Sequence, residues 1–366
     1  MRLQKNQQPE GYGDFVPELF NRLAKKYPQH QFIYIFDKPY NEKLIFGENV
    51  LPVIAGPQTV NSLRLQYWFN FKIPKILRQH KADVFVSPEG ICSVRTRKPQ
   101  CMIINGSGFL RPPLTAKKWV AGFYKKFTAL FLAKAKSILA VSEFARSEII
   151  NLYKIPADKI ELIYPAVDEN FKPLDWEEIE NIRENYADGK AYFLFSGDIN
   201  QQSNYINLLK AFSFFKKRQK STMLLLFAGK ADEQFIKDLQ TYKYRDEVKL
   251  LNNLSTAELA KITAAAYAMV YPVINSDLVI SPLQAMQCHI PVIASDAGAL
   301  PTICADAALY CKPEDFNDIA QNMMLVFKDE GKAKELVSAG KKQVKKHNWN
   351  KAAELLMQSI QKSFNS

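Results

Sequence analysis

Short, unbroken apolar runs recur along this chain, and stretches with helical spacing separate them. Gln31 to Asp37 (QFIYIFD), Leu51 to Ile54, Asp83 to Pro88, Gln100 to Asn105, Ser137 to Ser142 and Lys159 to Pro165 make a first series. Ala191 to Gly197, Met223 to Gly229, Glu247 to Leu251, Ala268 to Tyr271 and His289 to Ser295 make a second. Between them lie helical patterns at Phe15 to Lys26, Ser62 to His80, 115–135, Glu143 to Tyr153, Tyr205 to Arg218, Glu233 to Tyr242 and Thr256 to Ala266. A strand covered by helices on both faces reads as a continuous apolar run, whereas a strand with one wet face alternates. The pattern therefore predicts an α/β chain built on parallel sheets. Pro74 inside the Ser62 to His80 pattern predicts a kink.

The two series also bear on domain number. A chain of 366 residues exceeds what one hydrophobic core usually serves, and each series suffices for one Rossmann-like domain. The span Asp168 to Lys190 (DENFKPLDWEEIENIRENYADGK) is charged and sparsely apolar, which marks it as the linker. The expected boundaries are 1–168, 169–346, and a closing helix over 347–366 that packs back on the first domain. Two such domains face a cleft, and ligands of open parallel sheets sit beyond the carboxyl ends of the strands.

Composition narrows the function classes. No uncharged apolar window of about 18 residues occurs, and the opening MRLQKNQQPEGYGDF lacks the apolar core of a secretory signal, so the chain is expected to stay in the cytoplasm. Cys92, Cys101, Cys288, Cys304 and Cys311 are scattered with no close pair, and His30, His80, His289 and His347 have no metal-ligand spacing. Reduced, packed thiols and no structural metal are expected. The formal charge of +12 fits nucleic acid, anionic membrane or phosphorylated substrates, and alone does not choose among them. In and just after 115–135, Lys117, Lys118, Lys125, Lys126, Lys134 and Lys136 are interleaved with Trp119, Phe123, Phe127 and Phe131. That helix reads either as core packing with solvated lysines or as a peripheral contact with an anionic membrane. No basic stripe with exposed stacking residues lies elsewhere, so nucleic acid is not an expected partner.

The densest signal is Tyr271 to Pro313 (YPVINSDLVISPLQAMQCHIPVIASDAGALPTICADAALYCKP). Ser281-Pro282 offers an N-cap followed by a proline suited to the first helical position, predicting a helix over about Pro282 to Cys288. The N–H groups and positive dipole end of such a helix suit an anion such as phosphate.

Ala285-Met286, Pro291 to Ser295, Gly298, Leu300-Pro301, Asp306 to Tyr310 and Trp349, together with Val141 to Arg146 and Val167 to Pro173, resemble the nucleotide-sugar glycosyltransferases of family four. The resemblance covers nearly the whole chain. It implies the GT-B fold and transfer of a sugar from a nucleotide-sugar donor to a glycan or lipid-linked acceptor in cell-envelope polysaccharide synthesis. The nucleotide sugar is then a co-substrate, with no further cofactor. The donor-side candidates it implies are Gly197, Asp198, Ser203, Asn204, Gly229, Asp277, Leu278, Val279, Ile280 and Gln284; the acceptor-side candidates are Gly11, Gly13, Asn105 and Glu143.

The chain departs from the family pattern at specific places. Ser276 and Gln284 occupy the positions of two family glutamates, and Asp277 and Val279 those of two glycines. Asp198 stands for an arginine, Ser203 for a lysine, and Asn105-Gly106 for a His-Asp pair. The usual first strand is missing or reduced to Met1-Arg2-Leu3. An Asp277 carboxylate repels a diphosphate, and side chains restrict the approach glycine permits. A second reading follows from these departures: an inactive glycosyltransferase-like subunit that binds a glycan or regulates a partner transferase.

Overall fold

A computed structural model describes residues 12–365 apart from 41–44, 46, 105–117 and 275–279. The chain divides into two compact units, one formed by Tyr12–Pro165 with the C-terminal stretch from Trp349, the other by Ala166–Asn348.

The first unit runs α1 (Tyr12–Lys26), β1 (Phe32–Phe36), β2 (Val50–Ile54), α2 (Ser62–Tyr67), α3 (Ile73–Gln79), β3 (Phe85–Ser87), β4 (Gln100–Ile104), α4 (Lys118–Lys134), β5 (Ser137–Ala140), α5 (Glu143–Tyr153) and β6 (Ile160–Leu162). Every pairing is parallel. The strands form two sheets, β1-β2 and β3-β4-β5-β6. Their apolar side chains and those of α2, α3, α4 and α5 share one core, in which Ile73, Cys92, Leu132, Ile138 and Ile149 are fully buried.

The proline kink expected in Ser62 to His80 takes another form. Trp68–Lys72 winds as a π-helical turn between α2 and α3, and Pro74 lies in the first turn of α3. There the missing N–H of proline costs no hydrogen bond, so the widened turn absorbs what a mid-helix proline would disrupt. Trp68 is buried by this turn and its indole N–H donates to the Ala55 carbonyl at 2.5 Å.

The second unit runs α6 (Trp176–Ala187), β7 (Tyr192–Ser196), α7 (Tyr205–Gln219), β8 (Leu224–Ala228), α8 (Glu233–Thr241), β9 (Val248–Leu251), α9 (Thr256–Ala264), β10 (Ala268–Tyr271), α10 (Ser281–Gln287), β11 (Val292–Ser295), α11 (Leu300–Cys304), β12 (Ala308–Cys311), α12 (Phe316–Lys328) and α13 (Glu330–Val344). Its sheet has the order β12-β11-β10-β7-β8-β9, all parallel. β7 to β9 run outward one way and β10 to β12 the other, so the order reverses between β7 and β10.

The expected linker Asp168 to Lys190 contains α6, a correction to the sequence reading. Asp175 caps that helix by accepting from Glu178 N at 2.9 Å, Glu177 and Glu178 favour its positive end, and Arg183 pairs with Glu180 at 3.2 Å. Local capping and charge build it. Within α6 only Ala187 is buried, so the helix leaves little apolar periodicity to read.

The chain closes with α14 (Trp349–Asn365), which packs against α1, β4 and β5 in the first unit. Trp349 stacks on Phe15 with ring centroids 5.7 Å apart. Ser137 Oγ lies 2.6 Å from Ser363 Oγ and donates to the Ser359 carbonyl at 3.0 Å. Ser359 Oγ donates to Glu161 Oε2 at 2.6 Å. Polar groups buried under α14 are thus satisfied by it.

All five cysteines are buried and unpaired, and burial pushes each thiol up to about 12. Among the described residues no cluster of three or more His, Cys, Asp or Glu side chains is placed to hold a metal, and no helix is long and apolar enough to cross a membrane.

Candidate functional site

In a doubly wound sheet the strands on either side of the reversal send their loops to opposite faces, which leaves a crevice at their carboxyl ends. In the second unit that point lies beyond Ser196 of β7 and Tyr271 of β10.

The β7 exit is built around two glycines. Gly197 has φ +141° and Gly229, just beyond β8, has φ +147°, conformations that side chains resist. A Cβ on Gly229 would stand 2.1 Å from the Gly197 carbonyl oxygen, so the two strand ends touch backbone to backbone. The contact continues as a parallel bridge, with Ile199 N donating to Lys230 O at 2.8 Å and Asp232 N to Ile199 O at 2.9 Å. Asp198 and Lys230 are thereby set on adjacent strand exits. Asp198 is half-buried; burial raises its carboxyl above the ordinary value, and the Lys230 charge pulls it back. The Lys230 side chain is exposed.

Ser203 and Asn204 serve the loop itself. Ser203 closes a 3-10 turn over Gln201–Ser203: its hydroxyl donates to Asn200 O at 2.7 Å and accepts from Asn200 N at 3.2 Å, and the residue is buried. Asn204 adopts φ +60° and sends its amide N–H groups to Pro272 O at 2.8 Å and Pro313 O at 2.5 Å. It joins the loop after β7 to those after β10 and β12, and Ile274 N adds a bond to Gln202 O at 3.1 Å. These hydrogen bonds fix the shape of the crevice wall.

On the other side of the reversal, β10 is followed by α10. The expected cap Ser281 is the first residue of the helix; Ile280 is the cap, and its aliphatic side chain accepts no hydrogen bond. First-turn N–H groups have no intrahelical acceptor, and Pro282 supplies none, which leaves those of Ser281 and Leu283 as the donors of this turn. Ser281 to Met286 are all buried, Gln284 at 6% exposure among them. Gln284 is therefore a neutral polar side chain within an enclosed helix. Gln287 anchors that helix by donating to Phe171 O at 2.8 Å. The other loop candidates, Ser276, Asp277, Leu278 and Val279, lie outside the described residues.

On the first unit, Gly13 falls in the first turn of α1 and Glu143 at the first position of α5, where Ser142 Oγ accepts from Ala145 N at 3.1 Å. Glu143 lies 3.5 Å from Arg146. Gly11 and Asn105 lie outside the described residues.

Of the donor-side candidates, the structure groups Gly197, Asp198, Ser203, Asn204 and Gly229 at one rim and sets Ile280 and Gln284 on α10. It adds Lys230, a cation that the sequence reading did not single out. On α7, Lys216 is buried and ion-paired with Glu247. The signal for Lys230 was its place immediately after the strand-ending Gly229. Chemically, this rim combines a backbone surface, one solvent-reaching ammonium and one half-buried carboxyl.

Residues 177–343 match the family model described as glycosyl transferases group 1, and residues 13–171 match the model described as glycosyltransferase family 4. The O-antigen chain mannosyltransferase B of Escherichia coli is 26% identical over 277 residues, covering 75% of this chain and 72% of that one. The O-antigen chain mannosyltransferase RfbU of Salmonella typhimurium is 25% identical over 287 residues, covering 75% of each. The solved structure of Anabaena Alr3699/HepE in complex with UDP-glucose superposes with a TM-score of 0.72 at 16% identity, covering 98% of this chain and 99% of that one. At that identity the likeness speaks for the fold, GT-B.

Proposed function

The chain belongs to the group 1 glycosyltransferases, and from that premise we propose that it transfers a hexose from a nucleotide-sugar donor to a glycan or lipid-linked acceptor during cell-envelope polysaccharide synthesis. The observation that carries this reading is the pair of family matches over 13–171 and 177–343, which together provide both units of such an enzyme. The two mannosyltransferases named above point to mannose as the first sugar to test. The chain works in the cytoplasm, at the inner face of the membrane that carries its acceptor.

In this reading the donor diphosphate lies along the crevice of the second unit. The first-turn N–H groups of α10 and the Lys230 ammonium balance the charge that grows on the leaving group, a role that needs electrostatics and orientation rather than a metal. Lys230 takes the part of the cations absent at Asp198 and Ser203. A charged hydrogen bond contributes about 1.5–3 kcal/mol, so one lysine restores only part of what two lost cations supply. Low donor affinity is the expected consequence. The test is incubation with a panel of nucleotide sugars, mannosyl donors included, read by calorimetry and by release of nucleotide. Failure of every donor to bind or react sinks the reading.

The second reading, a silent subunit that holds a glycan or steadies a partner transferase, draws on Ser203. Its hydroxyl is fully committed to its own turn, so that position offers a donor nothing. The discriminating measurement is donor binding after Asp198→Arg. Tight donor binding gained only in that variant favours a disarmed fold; micromolar binding by the unaltered chain excludes it.

A further inference from the structure

We infer that the outward face of α2, its π-helical turn and α3 is a docking surface for an anionic lipid bilayer. The buried side of this segment carries Leu65, Trp68, Phe69, Ile73, Ile76 and Leu77. The opposite side carries a second apolar row at four-residue spacing: Leu63, Tyr67 and Phe71, exposed at 78%, 45% and 46%. Leu63 is the most exposed large apolar residue of the described chain. Tyr67 and Phe71 stack with centroids 5.4 Å apart, and the Arg95 guanidinium lies 4.1 Å from the Phe71 ring centroid. The row continues into exposed Lys75 and Arg78.

Charge selects the occupant. From Asn49 to Ala82 the sequence holds Arg64, Lys72, Lys75, Arg78 and Lys81 and no acidic residue, and from Gly90 to Ser142 it again holds none. A protein partner matched to a bare basic surface would supply acids, and RNA would use aromatic rings and cations alone. An aliphatic side chain as exposed as Leu63, in line with two aromatic rings on a segment whose only charged residues are cations, fits the boundary between headgroups and acyl chains. There the apolar row enters and the cations meet lipid phosphate.

The sequence reading left 115–135 open between core packing with solvated lysines and contact with an anionic membrane. In α4, Phe123, Phe131 and Leu132 are buried in the core, while Lys125, Lys126 and Leu130 face solvent. That helix packs beside α2, and it contributes cations rather than the apolar row.

The test is co-sedimentation of the full chain with vesicles of phosphatidylglycerol and phosphatidylethanolamine, against vesicles of phosphatidylcholine alone. Partitioning is expected to be more than about tenfold greater on the anionic vesicles. Leu63→Ser with Tyr67→Ser and Phe71→Ser should lower it about tenfold at any salt concentration, while Lys75→Glu with Arg78→Glu should lower it only at low salt. Circular dichroism and thermal melting check that these surface variants stay folded. Equal partitioning on both vesicle types, or indifference to the triple substitution in a folded variant, overturns the inference. So does binding of single-stranded RNA that the triple substitution abolishes while vesicle binding is lacking. No donor or acceptor enters the assay, so its failure leaves the transfer reading untouched, and failure of the donor panel leaves this inference untouched.

Discussion

Asn204 holds three loops with one side chain, and its backbone sits at φ +60°. Asn204→Ala is expected to cost roughly 2–4 kcal/mol, since the buried Pro272 carbonyl loses its donor, the Pro313 carbonyl keeps only that of Asn207, and the left-handed backbone loses a tolerant residue. Asn204→Gly keeps the backbone at ease and removes only the hydrogen bonds, so urea unfolding of the two variants should differ by about 1 kcal/mol. Gly229→Ala places a methyl group against the Gly197 carbonyl, and urea unfolding should report a loss of more than about 2 kcal/mol. Lys230→Ala should weaken donor binding about tenfold or more in calorimetry while leaving the melting temperature unchanged, because that side chain reaches solvent. His289 gives a pH signature. Burial first, and the Lys341 charge second, hold its imidazole below the ordinary value of 6.5. The unfolded chain then binds the extra proton more readily, so stability is complete above that value and falls as the pH drops through and below it. His289→Asn, which tolerates the same left-handed backbone, should flatten this slope in melts taken from about pH 7.5 to about pH 5.

Two elements carry more than their length suggests. α10 has seven residues, yet it is enclosed on every side. The α13 residue Gly340 lies so close that an added Cβ would stand 3.2 Å from Met286. α14 buries Trp349, Leu356 and Met357 and satisfies Ser137. Each large apolar side chain buried contributes about 1.5–3 kcal/mol. Their sum rivals the ~5–15 kcal/mol stability of a typical domain. A chain ending after Asn348 should therefore lose the cooperative transition of the first unit, read by hydrogen exchange in β4 and β5. The elements also show what sequence conveys. α5 was read to its ends, Glu143 to Tyr153, and the Ser142 cap and first-turn Glu143 fix where it starts. α6 went unread because its stability comes from Asp175, Glu180 and Arg183 rather than from an apolar stripe.

At the scale of the molecule the two units differ in how the chain builds them. The second is one continuous stretch, Ala166–Asn348, with its own six-stranded sheet, whereas the first needs residues from both ends of the chain. Expressed alone, Ala166–Asn348 should unfold in a single cooperative transition in urea, and Tyr12–Pro165 alone should not. The α/β class, nearly every strand and the family were legible in the sequence, because a strand buried on both faces must be apolar throughout and a helix must repeat every three to four residues. Those constraints act locally, so they leave a local record. The departures at Asp198, Ser203 and Gln284 were legible too, since they are identities. Ser203 closes its own turn on Asn200, a local contact. What the other polar side chains of this rim touch was decided by the tertiary structure: Asn204 became the tie between Pro272 and Pro313, and Lys230 came to stand beside Asp198. Those two depend on strand exits that the sheet brings together though they lie some thirty to a hundred residues apart in the chain, and no local pattern encodes that distance.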